Sequence, residues 1–371
     1  MVARLWWNLP GPSRFLDLVD KDLNSGKNVV LAFPVTGPAG FCEALAAKVS
    51  RREIFRWRKI NLTSDDHMDP YDVINDRFRI SDSKIGAVPA MEVALCRPLE
   101  ATIIWVDGID SLKWAAWRKF ILDYEQASRN TKWDRPLFCV NLIGNSIAHL
   151  PANGVALSIR KWNGFVDRMD LMLFLAGLST NGGSDSCHQH LASAITVELA
   201  GNDVELALEL SRTDLKTLMS PLSLLQNIAN KRGWDEKALK TPDWVSGILE
   251  VFNGKERLNS AAAAAALDKT EINRRLWKAE VVVLFPFLED LRIKLLTSLR
   301  RHLHLPLTTP FGIITDPFDL EIGHILHLIR NGPVPRETKH QLAKLNNMRR
   351  AIAHIKPVEW DDINIIEARN G

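Results

Sequence analysis

Two pairs of side chains in this sequence are spaced for chemistry. Asp107 and Asp110 follow the apolar, β-branched run at 101–106, Ala-Thr-Ile-Ile-Trp-Val. A buried parallel strand that ends in an acid delivers a carboxylate to the sheet edge, where it can hold Mg²⁺ through water beside a nucleotide. Arg349 and His354, with four residues between them, form the second pair. An arginine steadies a phosphate and its developing charge, while a histidine titrates near neutral pH and moves a proton. That combination suits cleavage of a phosphodiester.

A nucleotide site of the first kind also needs a phosphate loop. The pattern is Gly-x-x-x-x-Gly-Lys-Ser/Thr after the first strand, with backbone amides around the phosphates and a lysine to neutralise them. After the apolar segment Asn28–Phe33 the chain instead runs Pro34-Val35-Thr36-Gly37-Pro38-Ala39-Gly40-Phe41-Cys42-Glu43. With Gly40 set on the last glycine, Val35 takes the place of the first, Phe41 that of the lysine and Cys42 that of the hydroxyl. Phe41 cannot neutralise phosphate and Glu43 repels it; Lys48 lies too far along the helix. Two readings stand: an ordinary strand-to-helix turn that needs glycine, or a surviving site bounded by Gly37 and Gly40.

The elements that must position these residues alternate in the first half. Strands are expected at Asn28–Phe33, Ile54–Leu62, Thr102–Val106, Leu137–Leu142 and Val155–Ile159, with helices over Phe41–Ser50 and Leu112–Ser128. Such alternation implies a mainly parallel sheet covered on both faces, with Asp107 at a strand end beside the Pro34–Gly40 loop. From about Asp167 the strand signals fade. The Gly/Ser stretch Gly177–Ser186 reads as a linker, and the six alanines at Ala261–Ala266 as a helix packed closely on a neighbour. A long helical pattern spans Lys269 to His302 and is expected to break at Pro286. The fold class is thus α/β plus all-α: a P-loop-like domain at 1–178, a helical region (winged-helix-like or linker) at 186–268, and a helical bundle at 269–371.

Composition excludes several classes. The 371 residues carry a net charge of only +3, too little to demand a nucleic-acid partner, and 46% hydrophobic with 25% charged residues is ordinary for a globular chain. The four cysteines follow no repeated spacing, which fits reduced thiols and a cytoplasmic location. The first ten residues do not read as a signal peptide, and apolar runs such as Val281–Phe287 fall far short of a membrane span. Twelve tryptophans are dispersed, as packing requires. Cys187, His188 and His190 lack a second cluster to complete a metal site. Glu289 and Arg292 share a helix face and should pair, and the basic run Leu299–His304 reads as a helix end.

Trp105–Leu112, Trp-Val-Asp-Gly-Ile-Asp-Ser-Leu, resembles the Walker B motif of STAND-type ATPases, especially the NACHT group, whose strand ends in Asp-Gly-Leu-Asp-Glu-Leu. This chain keeps both aspartates and has Ser111 in place of the glutamate. The resemblance covers roughly residues 20–175. It implies that Asp107 is the metal acid and Asp110 the second acid, with Asn141 standing where related ATPases place a sensor of the γ-phosphate. The missing lysine implies an inactivated module with no cofactor; ATP with Mg²⁺ is the alternative.

Leu345–His354 resembles HEPN domains, all-helical modules with an Arg-x₄₋₆-His motif. Pro357-Val358 and the helical run Leu320–Ile329 are similar to the family too, whereas Arg350 replaces its usual small polar residue. In active members the arginine–histidine pairs of two protomers form a metal-independent RNase site; silent relatives use the fold for interaction. The resemblance therefore implies either Arg349 and His354 as catalytic residues of an RNA endonuclease, or a scaffold. STAND-like cores joined to HEPN-like domains are associated with bacterial conflict and antiviral defence. The implied role is a regulatory or scaffolding component, with a protein partner, RNA as a second candidate, and a dimer or hetero-assembly through the C-terminal helices.

Overall fold

The computed structural model describes residues 2–63, 66, 69–80, 89–129, 134–147, 149–178 and 186–364. The chain divides into two compact units. One comprises Met1–Leu178, Asn202–Glu205 and Lys240–Asn259; the other comprises Ser179–Gly201, Leu206–Leu239 and Ser260–Gly371. Residues 186–268 thus contribute to both. Most of the stretch read as a linker, 179–185, lies outside the described residues.

The first unit opens with α1 (Val2–Trp7) and α2 (Pro10–Asn24), which the sequence reading did not assign. Pro10 suits a first helical turn, where its absent N–H is no loss. There follow β1 (Asn28–Phe33), α3 (Phe41–Ser50), β2 (Arg56–Asn61), α4 (Pro70–Phe78), α5 (Pro89–Ala94), β3 (Thr102–Asp107), α6 (Ser111–Ser128), β4 (Leu137–Ile143), β5 (Leu157–Lys161) and α7 (Arg168–Leu178). The expected strands are present, with ends displaced by up to two residues. They form one sheet in the order β2-β3-β4-β1-β5, and every pairing is parallel. Parallel strands need crossovers, and the intervening helices supply them. The layout is an α/β fold around a five-stranded parallel sheet.

Register decides which side chains share a face. Val30, Ala32, Ile60, Ile104, Val106, Val140 and Leu142 lie on one side and pack with Trp114, Trp117, Ile121 and Tyr124 of α6. With a period of two, the alternate residues project from the other side. There Lys59 neighbours Trp105, Trp105 neighbours Cys139, and Asn61 neighbours Asp107. β4 sits between β1 and β3, so the end of β4 reaches the gap between the strand before the glycine loop and the strand that ends in Asp107. A hairpin of β6 (Leu249–Phe252) and β7 (Lys255–Leu258) completes the unit. Asn253 and Gly254 at its tip both have positive φ, 52° and 71°, as an Asn-Gly type I′ turn requires.

The second unit is mainly helical. It contains α8 (Cys187–Ala200), most of α9 (Val204–Leu210), α10 (Leu215–Leu218), α11 (Leu222–Lys231), most of α12 (Glu236–Lys240), α13 (Ser260–Ala265) and α14 (Lys269–Ser298). Ala261–Ala264 are fully buried, and α13 packs on α11. Contrary to expectation, α14 runs through Pro286 without a break. Proline removes the hydrogen bond to the carbonyl four residues back; here that carbonyl belongs to Val282, a half-exposed residue on the solvent side of the helix. A second departure is the hairpin of β8 (Leu307–Thr309) and β9 (Gly312–Ile314) within a stretch expected to be helical. The chain then closes with α15 (Ile322–Ile329), α16 (Arg336–Ala353) and α17 (Trp360–Ile363). Among the described residues no helix is long and apolar enough to cross a membrane.

Candidate functional site

At the carboxyl edge of the sheet lies a cleft of about 560 Å³ whose walls include Pro34, Gly37, Gly40, Lys59, Asp107 and Asn141. The sheet therefore brings the acid of β3, the polar end of β4 and the glycine loop into one place, as an open α/β sheet does beyond its strand ends. Asp107 Oδ1 accepts hydrogen bonds from the Gly108 amide at 2.9 Å and from Asn141 Nδ2 at 3.1 Å. Trp105 Nε1 lies 3.4 Å from Oδ2. Gly108 is required at the turn: its φ is 77°, and a Cβ there would collide with the Leu62 carbonyl.

Asp110 does not line the cleft. It caps α6, its Oδ1 accepting from the amides of Leu112 at 2.9 Å and Lys113 at 2.8 Å. An aspartate just before a helix start was the signal for this in the sequence. A residue that sequence reasoning missed is Lys59. It enters the cleft from β2, and its Nζ donates to Glu43 Oε1 at 3.0 Å. That hydrogen bond holds the Glu43 carboxyl below its ordinary range and raises the lysine. Burial pushes the neighbouring Cys42 thiol up, with Lys59 pulling the other way. Alternation along Arg56–Asn61 placed Lys59 on one face of β2, but no motif marked it.

The loop is held by contacts with other parts of its unit. The Val35 amide donates to the Val245 carbonyl at 2.9 Å and the Gly37 amide to Pro34 at 2.8 Å. Trp7 Nε1 donates to the Ala39 carbonyl at 2.9 Å. Gly40, at φ 82°, lies so close to Ala3 that a Cβ would clash, and Gly247 is equally close to Thr36. A phosphate cradle needs loop amides aimed at a common centre. Here Val35 and Gly37 point theirs at backbone carbonyls instead.

In the helical unit, Arg349 and His354 are not drawn together by the helix. Five positions turn through roughly 140°, and His354 is the residue that ends α16. Arg349 makes a two-pronged pair with Glu321, Nη1 and Nη2 each 2.9 Å from a carboxylate oxygen, and Glu289 lies 3.9 Å from its Nε. His354 is exposed. The expected Glu289–Arg292 pair is present at 2.7 Å. Nearby, Glu280 of α14 is fully buried and accepts the Val358 amide at 3.0 Å. Burial raises its carboxyl to about 8, and Glu359 adds to the rise. Nine residues earlier, burial acts on Glu271 the same way, but hydrogen bonds from Arg274 and Arg275 outweigh it and hold that carboxyl down at about 2.

No protein-family model matches the sequence, and no curated protein matches it. Among solved structures, the chain is similar to the ORC1 protein of Aeropyrum pernix in complex with DNA. The identity is 14% and the TM-score 0.34, over 93% of this chain and 84% of that one. So loose a superposition has no bearing on activity.

Proposed function

We propose that the chain is a regulatory or scaffolding component of a bacterial antiviral defence system, in which a P-loop-like unit that does not turn over nucleotide offers its cleft to a partner protein. The observation that carries this reading is the state of the loop. Two of its amides are engaged by backbone carbonyls, Phe41 stands where a lysine is needed, and Lys59, the one lysine lining the cleft among the described residues, is already paired with Glu43. The defence setting rests on the resemblance of Trp105–Leu112 to STAND ATPases and of Leu345–His354 to HEPN domains. The test combines two assays. The purified chain should hydrolyse no Mg²⁺-ATP, and affinity capture from its native host should recover a protein that an Asp107→Asn variant fails to hold. Saturable ATP turnover abolished by Asp107→Asn overturns the proposal.

A second reading, a HEPN-type RNA endonuclease, is supported by the exposed His354 at the end of the helix that carries Arg349. One arginine–histidine pair supplies too few groups for both phosphate stabilisation and proton transfer, so this activity needs a second chain. Incubation with total RNA decides it, alongside an Arg349→Ala/His354→Ala double variant and light scattering for oligomeric state. Cleavage by a dimer, lost in the variant, replaces the scaffold reading with the nuclease.

A further inference from the structure

The charged side chains lining the cleft are Glu43, Lys59 and Asp107. Lys59 and Glu43 neutralise each other across 3.0 Å. Asp107 is left with no lysine or arginine partner among the described residues. Its Oδ1 already accepts two hydrogen bonds, whereas among the described residues Oδ2 has only the 3.4 Å contact with Trp105. Oδ2 therefore retains capacity to accept.

Asn141 supplies an independent observation. Its amide cannot be turned over, because that would set Oδ1 against the Asp107 carboxylate; the nitrogen must face the acid. Oδ1 is thereby left as an acceptor, and it is buried with no donor among the described residues, on a residue only 8% exposed. A buried acceptor without a donor is a cost that a bound group can relieve. The floor thus carries a negative charge with no lysine or arginine partner among the described residues, and two acceptor oxygens with capacity to spare. That charge disfavours phosphate there. Mg²⁺ prefers additional carboxylates or phosphate oxygens, and the second carboxylate of the cleft, Glu43, is already engaged by Lys59.

The rim has the opposite character. Val35 is 62% exposed and Ile143 50%, and both line the mouth. An apolar mouth over an acidic, acceptor-rich floor matches a side chain with an aliphatic stem and a cationic, donor-bearing head. We propose that the cleft receives a lysine or arginine side chain of a partner polypeptide, its head on Asp107 and Asn141 and its stem between Val35 and Ile143. This rests on the reading of the unit as a binding platform and names the chemistry of what docks there.

The test uses the full ¹⁵N-labelled chain titrated with N-acetyl-lysine and N-acetyl-arginine methylamides, with the norleucine and citrulline analogues as uncharged controls. The Trp105 indole and Gly108 amide signals are followed. The two cations should shift both signals at millimolar concentration, and the uncharged analogues should bind about tenfold more weakly or worse. Asp107→Asn and, at an exposed position, Val35→Lys should each abolish the shifts while leaving the signals of the helical unit in place. Equal binding by norleucine, no binding by either cation, or displacement of both by millimolar Mg²⁺ overturns the proposal; the last outcome makes the site a metal site. Loss of the cation effect alone leaves the platform reading standing if Asp107→Asn still releases the captured partner. ATP turnover brings down both.

Discussion

The two constellations invite comparison because sequence distance misleads in opposite directions. Asp107 and Asn141 are 34 residues apart and form a hydrogen bond. Arg349 and His354 are five apart, and the turn of the helix separates them. A parallel sheet stacks equivalent positions of neighbouring strands side by side, so a motif at a strand end inherits its neighbours from register. A helix distributes nearby residues around its axis, and a short spacing brings side chains together only at three or four positions. A strand-edge constellation is thus rigid by construction. A helical one needs a second element, and for Arg349 that element supplies Glu321.

This contrast can be broken experimentally, beginning with the largest effect. Gly108→Ala places a Cβ against the Leu62 carbonyl at a left-handed turn and should destabilise the α/β unit by roughly 4 kcal/mol. Segment-resolved hydrogen exchange should show lost protection there with the helical unit spared; equal loss in both would end the picture of separable units.

Glu280 provides the second test. Its folded-state carboxyl is raised from 4.5 to about 8, so the folded chain holds a proton that the unfolded chain releases. Stability of the helical unit is full below 4.5, falls as pH rises through the interval, and levels off above about 8. The loss should be on the order of 3 kcal/mol after allowance for water penetration. Glu280→Gln, which keeps an acceptor for the Val358 amide, should flatten the pH dependence of denaturant unfolding. An unchanged slope would mean that another group titrates.

Third, Asn141→Asp puts a second carboxylate against Asp107. Repulsion should lower stability by about 2 kcal/mol at neutral pH, with recovery as acidification protonates the pair. Indifference to pH would show that the strand ends yield more than register implies. The smallest effect belongs to Glu321→Ala. Its pair with Arg349 is partly exposed, 26% and 52% for the two side chains, so the change should cost under about 1 kcal/mol. The same variant leaves the guanidinium with the longer 3.9 Å contact to Glu289 and should raise RNA binding in a filter assay if the nuclease reading holds.

How much was legible in the sequence follows the same division. The strands, the helix from Phe41 and the meeting of Asp107 with the glycine loop were readable because hydrophobic runs and glycines report local geometry directly. Lys59 was not, since its place in the cleft depends on which strand β2 pairs with and in what register. The β6–β7 hairpin was legible and overlooked: Phe252-Asn253-Gly254-Lys255 is a two-residue turn signal. Pro286 misled because its effect depends on where the orphaned carbonyl of Val282 faces, which is a tertiary matter. The partners of Arg349 were invisible for the same reason. Glu321 and Glu289 come from separate elements.

The bond from the Val35 amide to Val245 also has a meaning in time. A chain leaves the ribosome from its N-terminus, and β1 emerges long before the segment that clamps the loop behind it. About 210 residues lie between the two partners, which is roughly 10–40 s of synthesis at ordinary elongation rates. Throughout that interval the sheet can assemble while the mouth of its cleft stays unlatched, with Thr36 not yet met by Gly247. Whatever occupies that edge during translation meets a softer surface than the finished protein presents.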